Sequence, residues 1–321
     1  MNCNYCEFRC DLSKGKGVCG RYILSNGEVC EKEPMHFLPA MQYRIEEMPF
    51  FHAYPGTVSS QMGTVSCNAA CNYCMNSHVS IEKDAIELTE YTAEAIVENA
   101  IANEAQSIVF GINEVTCFMP SALKVADAAH RAGLKMGCLT NGFQTKECAE
   151  LLAENMDMIN VSLKSMDDAF YQKDLGLPSA QPVMRNIEIF SKKSHVEIST
   201  PLAMELSIEK LMEMAHFLAD IDKNIPWHLL RLQPGNKCTG FQDESSHMPS
   251  IIAAMEEIKT FLPYVYLGNL AGSRWVDTMC PVCGELLVKR LCLGACGSKM
   301  QAVYLDGKMC PQCKTELPII V

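Results

Sequence analysis

From residue 58 to about residue 270, short apolar, β-rich runs alternate with segments of helical period. No other feature constrains the fold as strongly. The runs are SQMGTVS (60–66), QSIVFGI (106–112), LKMGCLT (134–140), MDMINVSLK (156–164), HVEISTPLA (195–203), PWHLLRLQP (226–234) and YVYLGN (264–269). Between them lie helical patterns at 85–103, with Thr89 as N-cap and Glu90 in its first turn, and at 119–132, ending at Gly133. Further helices fall near 145–155, 181–192, 208–221 and 249–261. Strands separated by helices predict a parallel sheet with right-handed crossovers. The stretch is short for eight such units, so the expected fold is α/β, an open, partial (β/α)6 TIM-like barrel. Its functional residues belong in the loops at the C-terminal strand ends.

The flanks differ in composition. Residues 1–57 form a Cys-rich N-terminal extension, loop-dominated to about residue 50, and 58–270 the core. Residues 271–321 form a small C-terminal module, either zinc-ribbon/rubredoxin-like or iron–sulfur. The 321 residues include 18 Cys and only 2 Trp. Lys and Arg number 27 against 38 Asp and Glu, a net charge of -11, which disfavours broad binding to nucleic acid or anionic membrane. No apolar run reaches the ~20 residues of a membrane span. The opening MNCNYCEFRC lacks the basic and apolar regions of a secretory signal. The expectation is a cytoplasmic protein whose clustered cysteines bind metal or iron–sulfur clusters. The 20 Met and unprotected thiols suit an anaerobic cell.

Three sets of cysteines carry the chemistry. In SCNAACNYCMN, Cys67, Cys71 and Cys74 have Cys-x3-Cys-x2-Cys spacing just after the first core strand. Three thiolates can hold three corners of a 4Fe–4S cube and leave the fourth iron open to a small chelating molecule. The alternatives are a zinc site completed by His78, or unrelated thiols. Cys3, Cys6, Cys10 and Cys19 can close a tetrahedral zinc site or hold a second cluster. Cys280, Cys283, Cys310 and Cys313 form two Cys-x2-Cys knuckles, the pattern of a zinc ribbon or rubredoxin-like iron site. Cys292 and Cys296, in CLGAC, are alternate ligands if that module holds a cluster instead. Cys30, Cys117, Cys138, Cys148 and Cys238 read as small buried hydrophobes. His228 and Arg231 are expected to point into the barrel mouth, as ligand contacts or in structural hydrogen bonds.

Cys67, Cys71 and Cys74, with the aromatic Tyr73 before the last, resemble the signature of the radical S-adenosylmethionine (SAM) superfamily. The likeness extends to EKEPMHFLP (31–39), MGTVSCN (62–68), CMNSHVS (74–80), TNGF (140–143), NVSLKS (160–165), DAFYQK (168–173), PWHLLRLQP and VYLGN (265–269). In these segments the chain looks like the pyruvate formate-lyase-activating-enzyme-like branch, especially the AmmeMemoRadiSam system proteins. The resemblance implies a cluster whose open iron binds the amino and carboxylate groups of SAM. Reductive cleavage there gives methionine and a 5′-deoxyadenosyl radical that takes a hydrogen atom from substrate. It also implies SAM contacts at Tyr73, near the adenine, and at Asn113 and Glu114, for the ammonium; Lys164 is placed to pair with the SAM carboxylate or to be solvated, and His228 and Arg231 are candidate SAM or substrate contacts. Two positions depart from the pattern. Val115 replaces a proline after Asn113-Glu114, and Ser162 stands where activating enzymes have a cation-binding Asp.

The leading functional expectation is thus a radical SAM oxidoreductase acting on an unidentified small-molecule or protein substrate. A ferredoxin or flavodoxin would be its reductant, and additional zinc or iron–sulfur sites would serve structure or electron supply. One alternative is a glycyl-radical-enzyme activating enzyme; another is a non-catalytic iron–sulfur electron-transfer protein. Nucleic acid is disfavoured as substrate by the net charge, and a Rossmann methyltransferase by the lack of a Gly-rich loop after the first strand.

Overall fold

The computed structural model describes residues 1–81, 86–203, 206–233, 247–294 and 297–321. The first strands are β1 (Tyr22–Ser25), β2 (Glu28–Glu31), β3 (His36–Phe37), β4 (Met41–Arg44), β5 (Val58–Met62) and β6 (Thr89–Glu90). They are followed by β7 (Ser107–Phe110), β8 (Lys135–Thr140), β9 (Met158–Ser162), β10 (His195–Leu202), β11 (Trp227–Arg231) and β12 (Val265–Gly268). The last are β13 (Thr278–Met279), β14 (Leu286–Cys292) and β15 (Ser298–Val303). One eight-stranded sheet runs in the order β12-β11-β10-β9-β8-β7-β5-β4. Its seven strands from β5 to β12 are parallel and β4 is antiparallel to β5. The barrel is therefore α/β and partial, with seven parallel strands where six were expected.

The parallel strands read as nearly continuous apolar runs because both faces are covered. Alternation along each strand still sorts the two sides. Ile108 and Phe110 of β7, Cys138 of β8 and Val161 of β9 join the layer under the helices. Val109 and Met158 turn the other way, onto Ile45, Met48, Phe50 and Ala53. The outer layer is closed by helices Ala93–Ala102, Met119–Arg131, Lys146–Asn155, Gln181–Phe190, Ile208–Asp222 and Met248–Ile258. Thr89 does not cap the first of these. Thr92 does, its hydroxyl accepting from the Ala95 amide at 3.1 Å, while Thr89 and Glu90 pair with β3. The Tyr91 amide donates to the Met35 carbonyl, so the approach to the helix is held extended until Thr92.

The N-terminal stretch is also less loop-like than expected. β4 completes the main sheet, so the sheet begins before residue 58. Residues 50–54 then cross the floor of the barrel, at the N-terminal strand ends. There the fully buried Glu197 accepts from the amides of Phe51 (2.9 Å), His52 (2.8 Å) and Ala53 (3.2 Å). The C-terminal three-stranded sheet, β13-β14-β15, docks beneath this floor. Buried Arg290 donates to the carbonyls of Phe51 (2.8 Å) and Val276 (3.0 Å) and lies over the Phe51 ring. Ile320 exchanges backbone hydrogen bonds with His52 and Tyr54. No described helix is long and apolar enough to cross a membrane.

Candidate functional site

At the opposite end, β5 leads into the loop bearing Cys67, Cys71 and Cys74. A Cβ on Gly63 would collide with the Gly111 carbonyl and lie 2.9 Å from Asn113 Oδ1. Glycine there lets the ends of β5 and β7 close on each other. Asn113 then stitches the loop down: its Oδ1 accepts from the Thr64 amide at 2.9 Å and its Nδ2 donates to the Ser66 carbonyl at 2.9 Å. Ile112, just before it, has φ 72 and sits in a γ-turn closed by the Asn113 amide on the Gly111 carbonyl. A β-branched residue in that region stores about 1–3 kcal/mol of strain. Asn76 Nδ2 holds the turn through the Ile112 carbonyl at 2.8 Å. The far half of the loop hangs from the turn Tyr171–Leu175, through Ala70 on Leu175 and Asn72 on Asp174.

Among the described residues, Cys280, Cys283, Cys310 and Cys313 bring their ligand atoms within 4.8 Å of one another, and no three of Cys67, Cys71, Cys74 and His78 do. The Cys67 sulfur accepts from the Ala69 amide at 3.4 Å and from Asn141 Nδ2 at 3.7 Å. Burial, reinforced by the charge of Glu114, pushes the Cys67 thiol well up. Burial also raises Cys71, against the pull of Lys164. A bound metal supplies the positive charge that would ionise them.

Beside Cys71 and Cys74 opens a mouth of about 190 Å³ at the C-terminal strand ends, lined by Tyr73, Lys164, Pro201, Leu230, Arg231 and Asn269. Lys164 and Arg231 place two cationic side chains next to the thiols, where an anionic ligand group would be bound. Tyr73 stacks towards Phe170, its ring 6.5 Å away. Ser162 ends β9, opposite Ser199. A second, larger and mostly apolar cavity of about 530 Å³ lies where β4 meets the barrel interior. Gln61, Asn76, His78 and Leu139 are on its walls.

Three expected contacts, Asn113, Glu114 and His228, do not line the mouth. His228 lies three residues deeper on β11 than Arg231, about 10 Å along the strand. It is buried, with Nε2 2.6 Å from Glu197 Oε2. Glu114 is only 2% exposed and turned inward. Its Oε1 accepts from the Thr116 amide (3.1 Å) and hydroxyl (2.6 Å), the Thr140 hydroxyl (2.8 Å) and Gln144 Nε2 (3.2 Å). Its Oε2 accepts from the Asn141 amide (2.7 Å). In this structure Asn113 holds the thiol loop and the Glu114 carboxylate is engaged by protein donors. Asn141, which reaches Cys67, and Ser66 escaped the sequence reading. Nothing in the segment TNGF marks the side-chain amide that turns to the sulfur.

The C-terminal quartet has the geometry of one ion. Cys280 and Cys313 sulfurs are 3.5 Å apart and those of Cys283 and Cys310 3.6 Å, close to the ~3.8 Å edge of a tetrahedron with metal–sulfur bonds of ~2.3 Å. The knuckles are alike: Gly284 donates to the Cys280 carbonyl at 2.9 Å and Lys314 to that of Cys310 at 3.0 Å. Cys292 is not part of this site. It is buried among Phe51, Tyr264, Tyr266 and Val276. Cys296 and Cys238 lie outside the described residues. Cys138 and Cys148 pack in the main core. Cys3, Cys6, Cys10 and Cys19 gather on one cavity together with Cys117.

Comparison with known proteins agrees with this architecture. Residues 63–218 match the Radical SAM superfamily profile. An uncharacterized protein of Methanocaldococcus jannaschii, MJ0808, is 28% identical over 338 residues, spanning 100% of this chain and 96% of the relative. The crystal structure of Streptococcus suis SuiB bound to S-adenosylmethionine superposes with a TM-score of 0.51 at 15% identity, a likeness of fold. That match covers 64% of this chain and 48% of SuiB, so this chain spans about half of SuiB's length. Over residues 63–218, just under half of its length, the chain is thus similar to the Radical SAM superfamily.

Proposed function

We propose that this chain is a radical SAM oxidoreductase that binds a 4Fe–4S cluster at Cys67, Cys71 and Cys74 and takes a hydrogen atom from its substrate. One observation carries the reading: of the three spaced thiols on the loop after β5, Cys71 and Cys74 open onto a mouth lined by Lys164 and Arg231. Cys67, Cys71 and Cys74 would hold the cluster, which would supply one electron to S-adenosylmethionine so that the S–C5′ bond breaks to methionine and a 5′-deoxyadenosyl radical. The protein's part is positional. Lys164 and Arg231 hold the SAM carboxylate, and Tyr73 offers a face to the adenine. Asn113 and Glu114 fix the loop from behind, and the buried surroundings exclude water. A low-potential protein such as ferredoxin or flavodoxin would supply the electron.

The reading is tested by reconstituting the full chain anaerobically with iron and sulfide, adding SAM and dithionite, and measuring 5′-deoxyadenosine. The expected result is 5′-deoxyadenosine formation that disappears in a Cys67/Cys71/Cys74→Ala variant. A wild-type protein that takes up iron but leaves SAM intact would instead be a non-catalytic electron carrier.

A further inference from the structure

The first twenty residues bring Cys3, Cys6, Cys10 and Cys19 around one small cavity, closed on the protein side by Asn68 and Cys117. The chain is folded around the sulfurs. The Cys3 amide donates to the Cys10 carbonyl at 2.9 Å, and the Val18 amide to Cys10 Sγ at 3.4 Å. A Cβ on Gly17 would lie 3.3 Å from Cys10 Sγ, so glycine is what lets the loop from Cys10 to Cys19 close over it. The Val18 amide on the Cys10 sulfur repeats the arrangement of the Ala69 amide on Cys67. Such amide-to-sulfur bonds are among the contacts that tune iron–sulfur centres.

The two outer sets differ in spacing: the four C-terminal sulfurs lie within 4.8 Å of one another, and no three of Cys3, Cys6, Cys10 and Cys19 do. We propose that Cys3, Cys6, Cys10 and Cys19 hold a second iron–sulfur cluster, with all four irons ligated by thiolate. Cys117, behind Cys19 on the turn Val115–Phe118, is packing rather than ligand.

This second centre adjoins the first, an inference that rests on the cluster reading of Cys67, Cys71 and Cys74. Ser66, the neighbour of Cys67, donates through its hydroxyl to the Cys19 carbonyl at 2.5 Å. Asn68, on the other side of Cys67, lines the same cavity as Cys6, and its Oδ1 accepts from Asn141 Nδ2 at 2.6 Å. The C-terminal quartet, docked under the floor, sits at the other end of the barrel. The two outer thiol sets therefore differ in kind: one is a single-ion structural site, the other a cluster against the SAM-cluster loop.

The test uses the full chain reconstituted anaerobically. Iron, sulfide and zinc are counted in the wild type and in Cys3→Ala/Cys6→Ala, Cys67/Cys71/Cys74→Ala and Cys117→Ala variants, and dithionite-reduced samples are examined by EPR. The wild type is expected to hold about eight cluster irons besides the C-terminal ion, with two signals that broaden one another. The Cys3→Ala/Cys6→Ala variant loses about four irons and the broadening while keeping the C-terminal ion, which also reports that it has folded. Cys117→Ala keeps all the iron. About four cluster irons in the unaltered wild type, or loss of zinc alone from the N-terminal variant, overturns the proposal. A Cys67/Cys71/Cys74→Ala variant that loses no iron strikes the first site and leaves the second standing.

Discussion

Glu197 and His228 face each other across the barrel floor, carboxylate to Nε2, at 2.6 Å. Both are buried, and Glu197 also takes His195 Nε2 at 3.0 Å and three amides of the segment 51–53. The pair joins the start of the parallel strands to the chain that plugs them. His52 extends the join downwards. Its Nε2 is 2.7 Å from the Tyr266 hydroxyl, and its Nδ1 donates to the Pro318 carbonyl at 3.2 Å. Barrel and C-terminal module are thus held by one polar network, far from the mouth.

That network makes stability fall in acid. Burial lowers the His52 pKa from 6.5 to about 3. Above pH 6.5 the ring is neutral folded and unfolded; between 6.5 and about 3 only the unfolded chain takes the proton, so stability drops as pH falls. At about 1.4 kcal/mol per pH unit, the loss from pH 6.5 to 5 is about 2 kcal/mol. Glu197, held well below its ordinary range by its two histidines against the opposing burial, acts with the same sign at lower pH. Its contribution is full above the ordinary carboxylate value and is lost as pH falls through the depressed one. Urea denaturation at pH 7, 6 and 5 should show the loss, and His52→Asn, which keeps a donor for Pro318, should flatten it. An unchanged slope in the variant would remove His52 as the cause.

The depth of residues along β11 separates two predictions that the sequence runs together. Lys164→Ala and Arg231→Ala should each weaken SAM binding about ten- to hundred-fold, the worth of a hydrogen bond to a charged group. His228→Ala should leave the SAM Kd unchanged and lower the denaturation midpoint. Calorimetric titration of the reconstituted protein with SAM measures the first, and urea melts the second. A loss of SAM affinity in His228→Ala would return that residue to the mouth.

Local pattern explains what could be read in advance. The spacing of Cys67, Cys71 and Cys74 is fixed by their closeness in the chain, and the strand–helix alternation needs only a short window. Lys164 and Arg231 stand at strand ends, which the parallel-sheet rule already assigns to the functional face. Period-two alternation says which side of a sheet His228 occupies, but not how deep. The burial of Glu114 is not legible in its own segment, because Thr140, Asn141 and Gln144, which claim its carboxylate, arrive from another strand. Thr89 was chosen as cap on residue type alone, when β3 holds it in a strand.

The C-terminal quartet should release one ion, and at a pH set by Thr315. Thr315 lies 3.2 Å from Cys313 Sγ through its hydroxyl, and its hydrogen bonds bring the Cys313 thiol down to about 6. Because the metal needs thiolates, protonation in acid releases it, and a lower thiol pKa carries binding to lower pH. Cys310→Ser should lose about one metal per chain and loosen the module on Arg290 and Ile320, lowering the thermal midpoint. Thr315→Val should move metal release to higher pH, followed with a chromogenic chelator. Release at the same pH would mean that the hydroxyl has no hold on Cys313.

Glu114 gives the sharpest separation between a ligand contact and a positioning residue. In Glu114→Ala the donors of Thr116, Thr140, Asn141 and Gln144 lose their shared acceptor inside the protein. Each buried donor left unpaired costs about 1–3 kcal/mol, so a loss of about 3 kcal/mol or more is expected even after some re-pairing. The damage should travel through Asn141, whose amide nitrogen binds Glu114 and whose side chain reaches Cys67, to the thiol loop itself. The variant should therefore retain less iron after gel filtration, while the fraction that keeps its iron binds SAM within about threefold of wild type, under 0.7 kcal/mol by the usual conversion. Glu114→Gln, which keeps an acceptor oxygen, should be intermediate in iron retention and stability. If Glu114→Gln instead keeps its iron and its denaturation midpoint but binds SAM ten-fold more weakly, the carboxylate turns outward to meet the SAM ammonium when the ligand is present.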